Sequence, residues 1–248
     1  MAVYTEVADH ELAEFLKHYD LGAVLAFKGI AEGVENSNYL LRTARGTFIL
    51  TLYERRVESS DLPFFLNLMD HLSARGVPCP VPVHGRDGES LRRLNGRPAA
   101  LVTFLDGISL SVPDVDQCAA VGRALAELHL AGADFGQRRA NALSLSGWRK
   151  LSELIGAAAD QFEAGLAAEI AMALHQLEER WPDGLPQGLI HADLFPDNVL
   201  FLDGRLSGLI DFYFSCSDAL SYDVAVMLNA WCFDPHEVFV RPKAAALL

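Results

Sequence analysis

The hydrophobic pattern of the chain changes period part-way along, and this change limits the fold more than any other feature. Up to about residue 103, apolar residues form short strand-like runs such as VLAFKGI, SNYLLRT and GTFILTLYE, separated by polar turns that contain glycine. Helices are expected over residues 5–19 and 62–74, and Asn95-Gly96 predicts a hairpin between the last two strands. After residue 115 the apolar residues recur at helical spacing. The first part therefore predicts five strands with one inserted helix.

The second part predicts a mainly helical region that also contains a short hairpin. Helices are expected over residues 115–132, within residues 166–180 and near residues 223–231. Between the last two, an Asp203-Gly204 turn joins two strand-like runs. The predicted fold class is α+β, with a small antiparallel β lobe that carries a helix and a larger, mainly helical lobe. We expect a nucleotide-binding β lobe over residues 1–104 and a catalytic helical lobe over residues 105–248.

Charge and cysteine content limit the partners and the compartment. The 248 residues carry a formal net charge of -13, with a pI of about 4.9, and such a surface would repel nucleic acids and anionic membranes. A small anionic ligand is not excluded, because it responds to local fields and bound cations. The four cysteines form no C-x-x-C pair, and the acidic N-terminus does not resemble a signal peptide. We therefore expect reduced thiols in a cytoplasmic protein; its oligomeric state is not indicated.

The stretch LIHADLFPDNVLF, residues 189–201, concentrates polar residues between two apolar runs. His191, Asp193 and Asn198 fall in eight residues, and the following run LSGLID ends at Asp211. A hairpin-like return through the Asp203-Gly204 turn would bring Asp211 beside Asn198. Buried polar groups are costly unless each has a partner. The grouping therefore indicates either a tight, self-satisfied loop or a site that holds something other than protein.

The residue types in this stretch fit phosphoryl transfer. Carboxylate and amide oxygens, here from Asp211 and Asn198, are ligands that suit Mg²⁺ bound together with substrate phosphates. Asp193 would remain able to accept a proton from a hydroxyl group, whereas His191 is expected to orient the loop. The spacing H-x-D-x-x-x-x-N followed by D-F is that of kinase-type enzymes, and the two-lobed layout is similar to that of protein kinases.

The chain resembles the aminoglycoside phosphotransferase-like superfamily and, within it, the bacterial homoserine kinases of this fold. The resemblance rests on stretches that cover most of residues 4–232. They are YDLG, FKGIAEGVENSNYLL, FILTLYE, DLPFFL, GVPCPVPV, HADLFPDNVLF and GLIDFYFSCSDALSYDVAVMLNAWC. It implies a protein-kinase-like fold, ATP and Mg²⁺ as cofactors, and phosphorylation of the side-chain hydroxyl of L-homoserine on the route to threonine.

Further residues are expected to contact the nucleotide and the acceptor. The run GIAEGVENSNYLL reads as a strand-turn-strand flap over the phosphates, with close backbone approach at its glycines and donors on its polar side chains. Adenine is expected against the backbone of the link between the lobes, and the acceptor against the segment after Asp211. The candidates are Gly29, Gly33, Asn36, Ser37 and Asn38 for phosphate, Thr103 and Leu105 for adenine, and Tyr213, Ser215 and Asp218 for the acceptor.

Two features depart from the pattern of related kinases. Thr51 stands where protein kinases carry a lysine that pairs with the phosphates, so either Lys28 or Arg42 is left to supply that charge, or neither does. The family also continues for some tens of residues beyond Leu248, so we expect a C-terminal lobe that is truncated relative to the family. No partner for the α-carboxylate of homoserine is visible among residues 211–223.

Two other functions remain open on the sequence alone. One is a kinase of another small alcohol, such as choline or an aminoglycoside, which would favour an acidic acceptor site. The other is a nucleotide-binding protein without catalytic activity, which the threonine at position 51 would suit.

Overall fold

The computed structural model describes residues 4–30, 36–54 and 58–248, and its first part is built around one antiparallel sheet. The strands lie in the order β1-β2-β3-β5-β4. Their bounds are β1 Val24–Gly29, β2 Ser37–Thr43, β3 Gly46–Leu52, β4 Leu91–Leu94 and β5 Arg97–Thr103. Helix α1, Asp9–Leu16, precedes the sheet, and helix α2, Leu62–Ser73, is inserted after β3. The five predicted strands and the inserted helix are thus present.

The second part is mainly helical. Its helices are α3 Val115–Ala131, α4 Leu145–Ile155, α5 Leu166–Arg180, α6 Leu220–Trp231 and α7 Arg241–Leu247. Two short antiparallel pairs lie among them, formed by β6 Gln187–Ile190 with β9 Cys216–Ala219, and by β7 Val199–Leu202 with β8 Arg205–Leu209. Helix α3 begins with a reciprocal cap, because the Asp114 carboxylate accepts from the Gln117 N–H at 2.8 Å and the Gln117 side chain accepts from the Asp114 N–H.

The sheet separates two apolar cores. On one face, α1 covers a cluster that includes Phe15, Leu41 and Leu50. On the other face, α2 packs into a larger cluster that continues through α3 to Trp231 of α6. Helix α2 therefore belongs by sequence to the first part and by packing to both. This shared core fixes the sheet relative to the helices, although the division into residues 1–104 and 105–248 stays a prediction.

The link between the two parts passes close to the β7–β8 hairpin. Gly107 has a φ of +149°, and a Cβ there would lie 2.5 Å from the Ser207 hydroxyl and 3.0 Å from the Leu200 side chain. The Ile108 N–H and the Phe201 carbonyl are hydrogen bonded at 2.9 Å. Only glycine can occupy position 107, because the backbone of the link lies so close to the hairpin. The link therefore packs against the hairpin that carries Asn198 and Asp211 at its ends.

Three elements differ from expectation. Helix α1 is shorter than the predicted 5–19, since the chain turns at residues 17–19 and buries Tyr19. Helices α4 and α7 are not among the helices expected above; the apolar residues of α4 face α5 rather than the buried core. Over residues 4–30, 36–54 and 58–248, no helix has both the length and the apolar character needed to cross a bilayer.

Candidate active site

The loop that follows β6 is fixed by a buried carboxylate. Asp223, in the first turn of α6 and fully buried, accepts hydrogen bonds from the backbone N–H groups of His191 at 2.8 Å and Ala192 at 2.7 Å. Its Oδ2 also lies 2.9 Å from His129 Nε2. Ala192 has a φ of +66°, which is unfavourable for a residue with a Cβ. Charge-assisted hydrogen bonds from Asp223 hold this conformation and present the next residue, Asp193.

His191 acts as a neutral structural group. The ring is fully buried, with Nε2 3.0 Å from the Ile210 carbonyl, and the Asp193 N–H donates to Nδ1 at 3.3 Å. Burial lowers the pKa of His191 below its ordinary value, more than the nearby Asp223 raises it. A neutral imidazole with its proton on Nε2 satisfies both contacts. His191 therefore orients the loop, as its sequence position suggested.

Asn198 is paired with Asp193. The Asn198 Nδ2 group donates to the Asp193 carbonyl at 2.8 Å and to Asp193 Oδ2 at 2.9 Å. A turn over Pro196–Asn198 sets this spacing, and the Trp231 indole N–H donates to the Leu194 carbonyl at 2.8 Å and holds the loop from below. Because the amide nitrogen faces Asp193, the Asn198 Oδ1 atom is directed away from it. The amide thus orients one face of the Asp193 carboxylate.

Asp211 reaches the same place by the hairpin return. Strands β7 and β8 pair across Asp203-Gly204, and the Ile210 N–H donates to the Asn198 carbonyl at 2.9 Å. Asp211 follows with φ +62° and ψ +63°, a left-handed conformation that aspartate tolerates better than most residues. The structure therefore brings together Asp193, Asn198 and Asp211.

A cavity of 350 Å³ lies between the sheet and the β7–β8 hairpin. Thr103, Leu105 and Gly107 of the link line one end, and Asn38 and Asp211 also contribute. Within the link, the Thr103 N–H donates to the Val81 carbonyl and the Phe104 N–H to the Thr47 carbonyl. The Leu105 N–H makes no hydrogen bond within the part of the chain that the structure describes. This backbone donor is therefore available beside the cavity.

Neutral residues occupy the position at which protein kinases carry a phosphate-binding lysine. The buried Thr51 hydroxyl donates to Asn38 Oδ1 at 2.8 Å, which directs the Asn38 amide nitrogen away from Thr51, and both residues line the cavity. Lys28 and Arg42 are exposed and are not among the lining residues. In the described residues, this wall of the cavity therefore offers a hydroxyl and an amide rather than a cation.

Three of the other expected phosphate contacts, Gly29, Asn36 and Ser37, are not among the described lining residues of this cavity. Ser37 is fully buried; its hydroxyl accepts from the Tyr4 and Thr5 N–H groups and donates to Glu54. The Asn36 Oδ1 atom accepts from the Glu54 N–H at 3.3 Å. These polar side chains fasten the N-terminal segment and the end of β3, and their contact with phosphate stays a prediction. Gly29 pairs with Tyr39 in the sheet, and Gly33 lies outside the described residues.

A second cavity, of 770 Å³, opens beside Ala192, in the loop that carries Asp193. Its wall includes Ala192 of the loop, Tyr213, and Arg139, Asn141 and Lys150 from the α3–α4 connection and α4. Tyr213 lines both cavities. Its hydroxyl lies 2.9 Å from that of Tyr53, and burial raises the pKa of Tyr213 to about 12, so the phenol stays protonated. Tyr213 therefore stands at the junction of the two cavities.

Two expected acceptor contacts are engaged elsewhere. Ser215 is fully buried beneath the loop, with its hydroxyl 3.5 Å from the His191 carbonyl. The Asp218 carboxylate accepts from Asn141 Nδ2 at 2.7 Å and from the Ala219 N–H, so it supports the cavity through Asn141. Neither is among the residues that line the cavity. Of the three acceptor candidates, Tyr213 alone is a lining residue.

Sequence reasoning missed Asp223 and Arg139. Asp223 directly precedes the apolar run VAVMLNAW, and this was a usable signal, because an acidic residue in a buried helix needs a partner. Arg139 lies in a polar connection with no periodic pattern, so the sequence offers no comparable signal.

The grouping of Asp193, Asn198 and Asp211 beside a cavity under the sheet is typical of phosphotransferases. Comparison with known proteins agrees with this class. The chain belongs to the phosphotransferase enzyme family, whose model matches residues 26–248. Membership implies the use of ATP.

Its relatives within that family are homoserine kinases. The chain is 62% identical to the homoserine kinase of Nitrobacter winogradskyi, over 100% of this chain and 76% of that protein. It is 59% identical to the homoserine kinase of Mesorhizobium japonicum, over 100% of this chain and 78% of that protein.

Solved structures confirm the predicted fold class. Spectinomycin phosphotransferase APH(9)-Ia, solved with ADP and spectinomycin, matches with a TM-score of 0.73 at 16% identity, covering 98% of this chain and 80% of that chain. Choline kinase LicA from Streptococcus pneumoniae matches with a TM-score of 0.65 at 18% identity, covering 97% and 79%. At such low identity these neighbours show the shared fold alone.

Proposed function

We propose that this chain transfers the γ-phosphoryl group of ATP to the side-chain hydroxyl of L-homoserine, giving O-phospho-L-homoserine. One observation carries the proposal beyond the likeness to homoserine kinases. The cavity beside the link, which Asp211 lines, and the cavity beside Ala192 have Tyr213 as a common wall residue. A nucleotide in the first and an alcohol in the second would therefore approach each other at Tyr213, and the loop beside the second cavity carries Asp193.

Asp193 is the proposed general base. In this role its carboxylate accepts the proton of the acceptor hydroxyl as that oxygen attacks the γ-phosphorus, and the bond to the β–γ bridging oxygen of ATP breaks. The Asn198 amide fixes the carboxylate at 2.9 Å, and the Asp223 contacts fix the backbone around it. Catalysis in such a site is mostly positioning and charge stabilisation.

The donor set suits Mg²⁺. Asp211 supplies a carboxylate and Asn198 a carbonyl oxygen directed away from Asp193, and the Ile210–Asn198 backbone contact holds the two residues together. Two hard oxygen donors with room for phosphate and water are what Mg²⁺ requires. Bound there, the ion would neutralise phosphate charge, a role that the neutral Thr51 cannot take. We propose Asn198 and Asp211 as its protein ligands.

Adenine is proposed to pair with the link at residues 103–105. The Leu105 N–H supports this placement, because it lies within residues 103–105 and is not used by neighbouring backbone in the described residues. Adenine N1 is an acceptor that such a donor would match. Weaker binding of 1-deaza-ATP than of 3-deaza-ATP would support the pairing, and equal binding would contradict it.

The charge of the acceptor cavity argues against the choline and aminoglycoside alternatives. Its charged lining residues, among those described, are Arg139 and Lys150, both cations on a chain of net charge -13. A cationic acceptor would be repelled there, whereas an acceptor that carries a carboxylate would be attracted. The four unpaired, buried cysteines and the need for ATP fit a cytoplasmic enzyme, which we include in the proposal.

A panel of acceptors tests the proposal. Initial rates of ADP release would be measured with Mg²⁺-ATP and L-homoserine, choline or kanamycin, with an acceptor-free reaction as the control. We expect L-homoserine alone to raise the rate well above the control. A higher rate with choline or kanamycin than with L-homoserine would show that homoserine is not the preferred acceptor. Tight nucleotide binding with no acceptor-dependent rate would indicate a non-catalytic protein.

A further inference from the structure

Arg139 is held rigidly at the wall of the acceptor cavity. Its Nε donates to Asp61 Oδ2 at 2.6 Å, its Nη1 donates to the Ser215 carbonyl at 3.3 Å, and its guanidinium carbon lies 5.0 Å from the centre of the Phe65 ring. The backbone is fixed as well, since the Ser217 N–H donates to the Arg139 carbonyl at 2.7 Å. A long side chain anchored in this way loses little further conformational entropy when it binds a ligand.

These contacts leave part of the guanidinium group available. Nε and Nη1 each make one hydrogen bond, and Nη2 makes no hydrogen bond to the residues that the structure describes. The exposed fraction of the Arg139 side chain is 22%, and the residue lines the cavity. The remaining N–H donors of this planar group, on Nη2 and Nη1, match the two oxygens of a carboxylate.

The local charge also favours an anion at this wall. Asp61 offsets the charge of Arg139, and the exposed Lys150 adds a further positive charge to the same cavity. No carboxylate is found among the described lining residues of this cavity. A bound carboxylate would therefore meet no acidic side chain in the described wall, because Asp61, which accepts from Arg139 Nε, is not a lining residue.

The anchor lies in the cavity beside the loop that carries the proposed base. Ala192, the residue before Asp193, lines it together with Arg139. An acceptor that places a carboxylate on Arg139 could thus present a hydroxyl group, a few bonds further along its chain, to Asp193. Homoserine has this arrangement, with three carbons between its hydroxyl oxygen and its carboxylate carbon.

We propose that Arg139 binds the α-carboxylate of the acceptor and thereby selects amino-acid alcohols, with Asp61 as a positioning residue behind it. The reaction to which this selection applies is the proposed function, on which the inference rests. Binding of the carboxylate itself does not depend on phosphoryl transfer and can be measured without it.

The test compares L-homoserine with L-homoserinamide, which keeps the hydroxyl and ammonium groups but replaces the carboxylate with a neutral amide. For the wild-type chain, kcat/KM is expected to be about 10- to 100-fold higher for homoserine, the range for a hydrogen-bonded charge. Arg139→Met should reduce this preference to near 1 by lowering kcat/KM for homoserine, with the KM for ATP unchanged. Arg139→Lys should give an intermediate preference.

Arg138→Met is the matched control, because Arg138 is adjacent, exposed and outside the cavity wall. It should keep the wild-type preference. Thermal unfolding would show whether each variant folds. If Arg139→Met does not fold, the comparison is made with Arg139→Lys. A folded Arg139 variant that loses the same factor with both acceptors would overturn the carboxylate role.

Calorimetric binding of both acceptors separates the inference from the proposed function. A chain that binds homoserine through Arg139 but does not phosphorylate it would refute the proposed function and leave the carboxylate site standing. Equal binding of homoserine and homoserinamide by the wild-type chain would refute the carboxylate site, whatever the turnover.

Discussion

The Asp223 carboxylate and the Ala192 N–H are joined by a hydrogen bond of 2.7 Å, across 31 residues of sequence. The bond holds a left-handed alanine between His191 and Asp193 and so sets the direction of the Asp193 side chain. Asp223 is fully buried and touches no proposed substrate group. Its role is therefore to position the catalytic loop from the first turn of helix α6.

Asp223→Asn is expected to reduce turnover more than nucleotide binding. The neutral amide has one oxygen where the carboxylate has two, so one of the N–H groups of His191 and Ala192 would face an NH₂ group. We expect kcat to fall about 10-fold or more and stability to fall by about 2–4 kcal/mol, with little change in the KM for ATP. Steady-state kinetics and urea unfolding measure these effects. A stable variant with normal kcat would remove Asp223 from the positioning role.

Asp193→Asn should keep the fold and nucleotide affinity while kcat falls on the order of 10²–10⁴-fold, the usual contribution of a general base. Asp197→Asn is the control, since Asp197 lies in the same loop but is exposed. The control should keep wild-type kcat. Comparable turnover in the two variants, each shown to be folded by circular dichroism, would defeat the assignment of Asp193.

Asp211→Asn should weaken Mg²⁺-dependent nucleotide binding more than metal-free binding. Asparagine tolerates the left-handed backbone at this position, so the substitution removes charge with little added strain. Calorimetric titration of ADP with Mg²⁺ or with EDTA would compare the two affinities. Equal losses under both conditions would show that Asp211 does not hold the metal.

His191 is expected to make stability depend on pH. Burial lowers its folded pKa, so below the unfolded value of about 6.5 the unfolded chain binds a proton that the folded chain does not. The free energy of unfolding should therefore fall as pH drops from about 6.5 toward the lowered folded pKa. Urea unfolding at pH 7.5 and 5.5 should show that His191→Gln, though less stable overall, loses less stability on acidification than the wild type.

His236→Gln provides the comparison for this measurement, because His236 is exposed. It should lose as much stability on acidification as the wild type. If His191→Gln also follows the wild-type profile, His191 is not the group responsible.

Local chemistry explains what the sequence predicted well. The Asn95-Gly96 turn has positive φ at both residues, 50° and 77°, as a two-residue hairpin requires, and both residue types adopt that conformation readily. The His191–Asp193 and Asn198 spacing likewise lies within one loop. In both cases the deciding interactions connect residues that are close in sequence.

Contacts between distant residues explain what the sequence did not predict. The Arg139–Asp61 pair spans 78 residues and the His129–Asp223 pair 94, and neither leaves a periodic pattern. Ser37 was expected to contact phosphate because polar residues in a turn are typical of a ligand loop. Its partners, 33 residues upstream and 17 downstream, could not be identified before the fold was known.

The most direct test of the central claim is the identity and amount of the product. Purified chain with Mg²⁺-ATP and L-homoserine would be followed by ³¹P nuclear magnetic resonance, with Asp193→Asn as the inactive control. The proposed function predicts O-phospho-L-homoserine and ADP in equal amounts from the wild type, and neither above background from the variant. ADP with inorganic phosphate, and no phosphomonoester of homoserine, would contradict it.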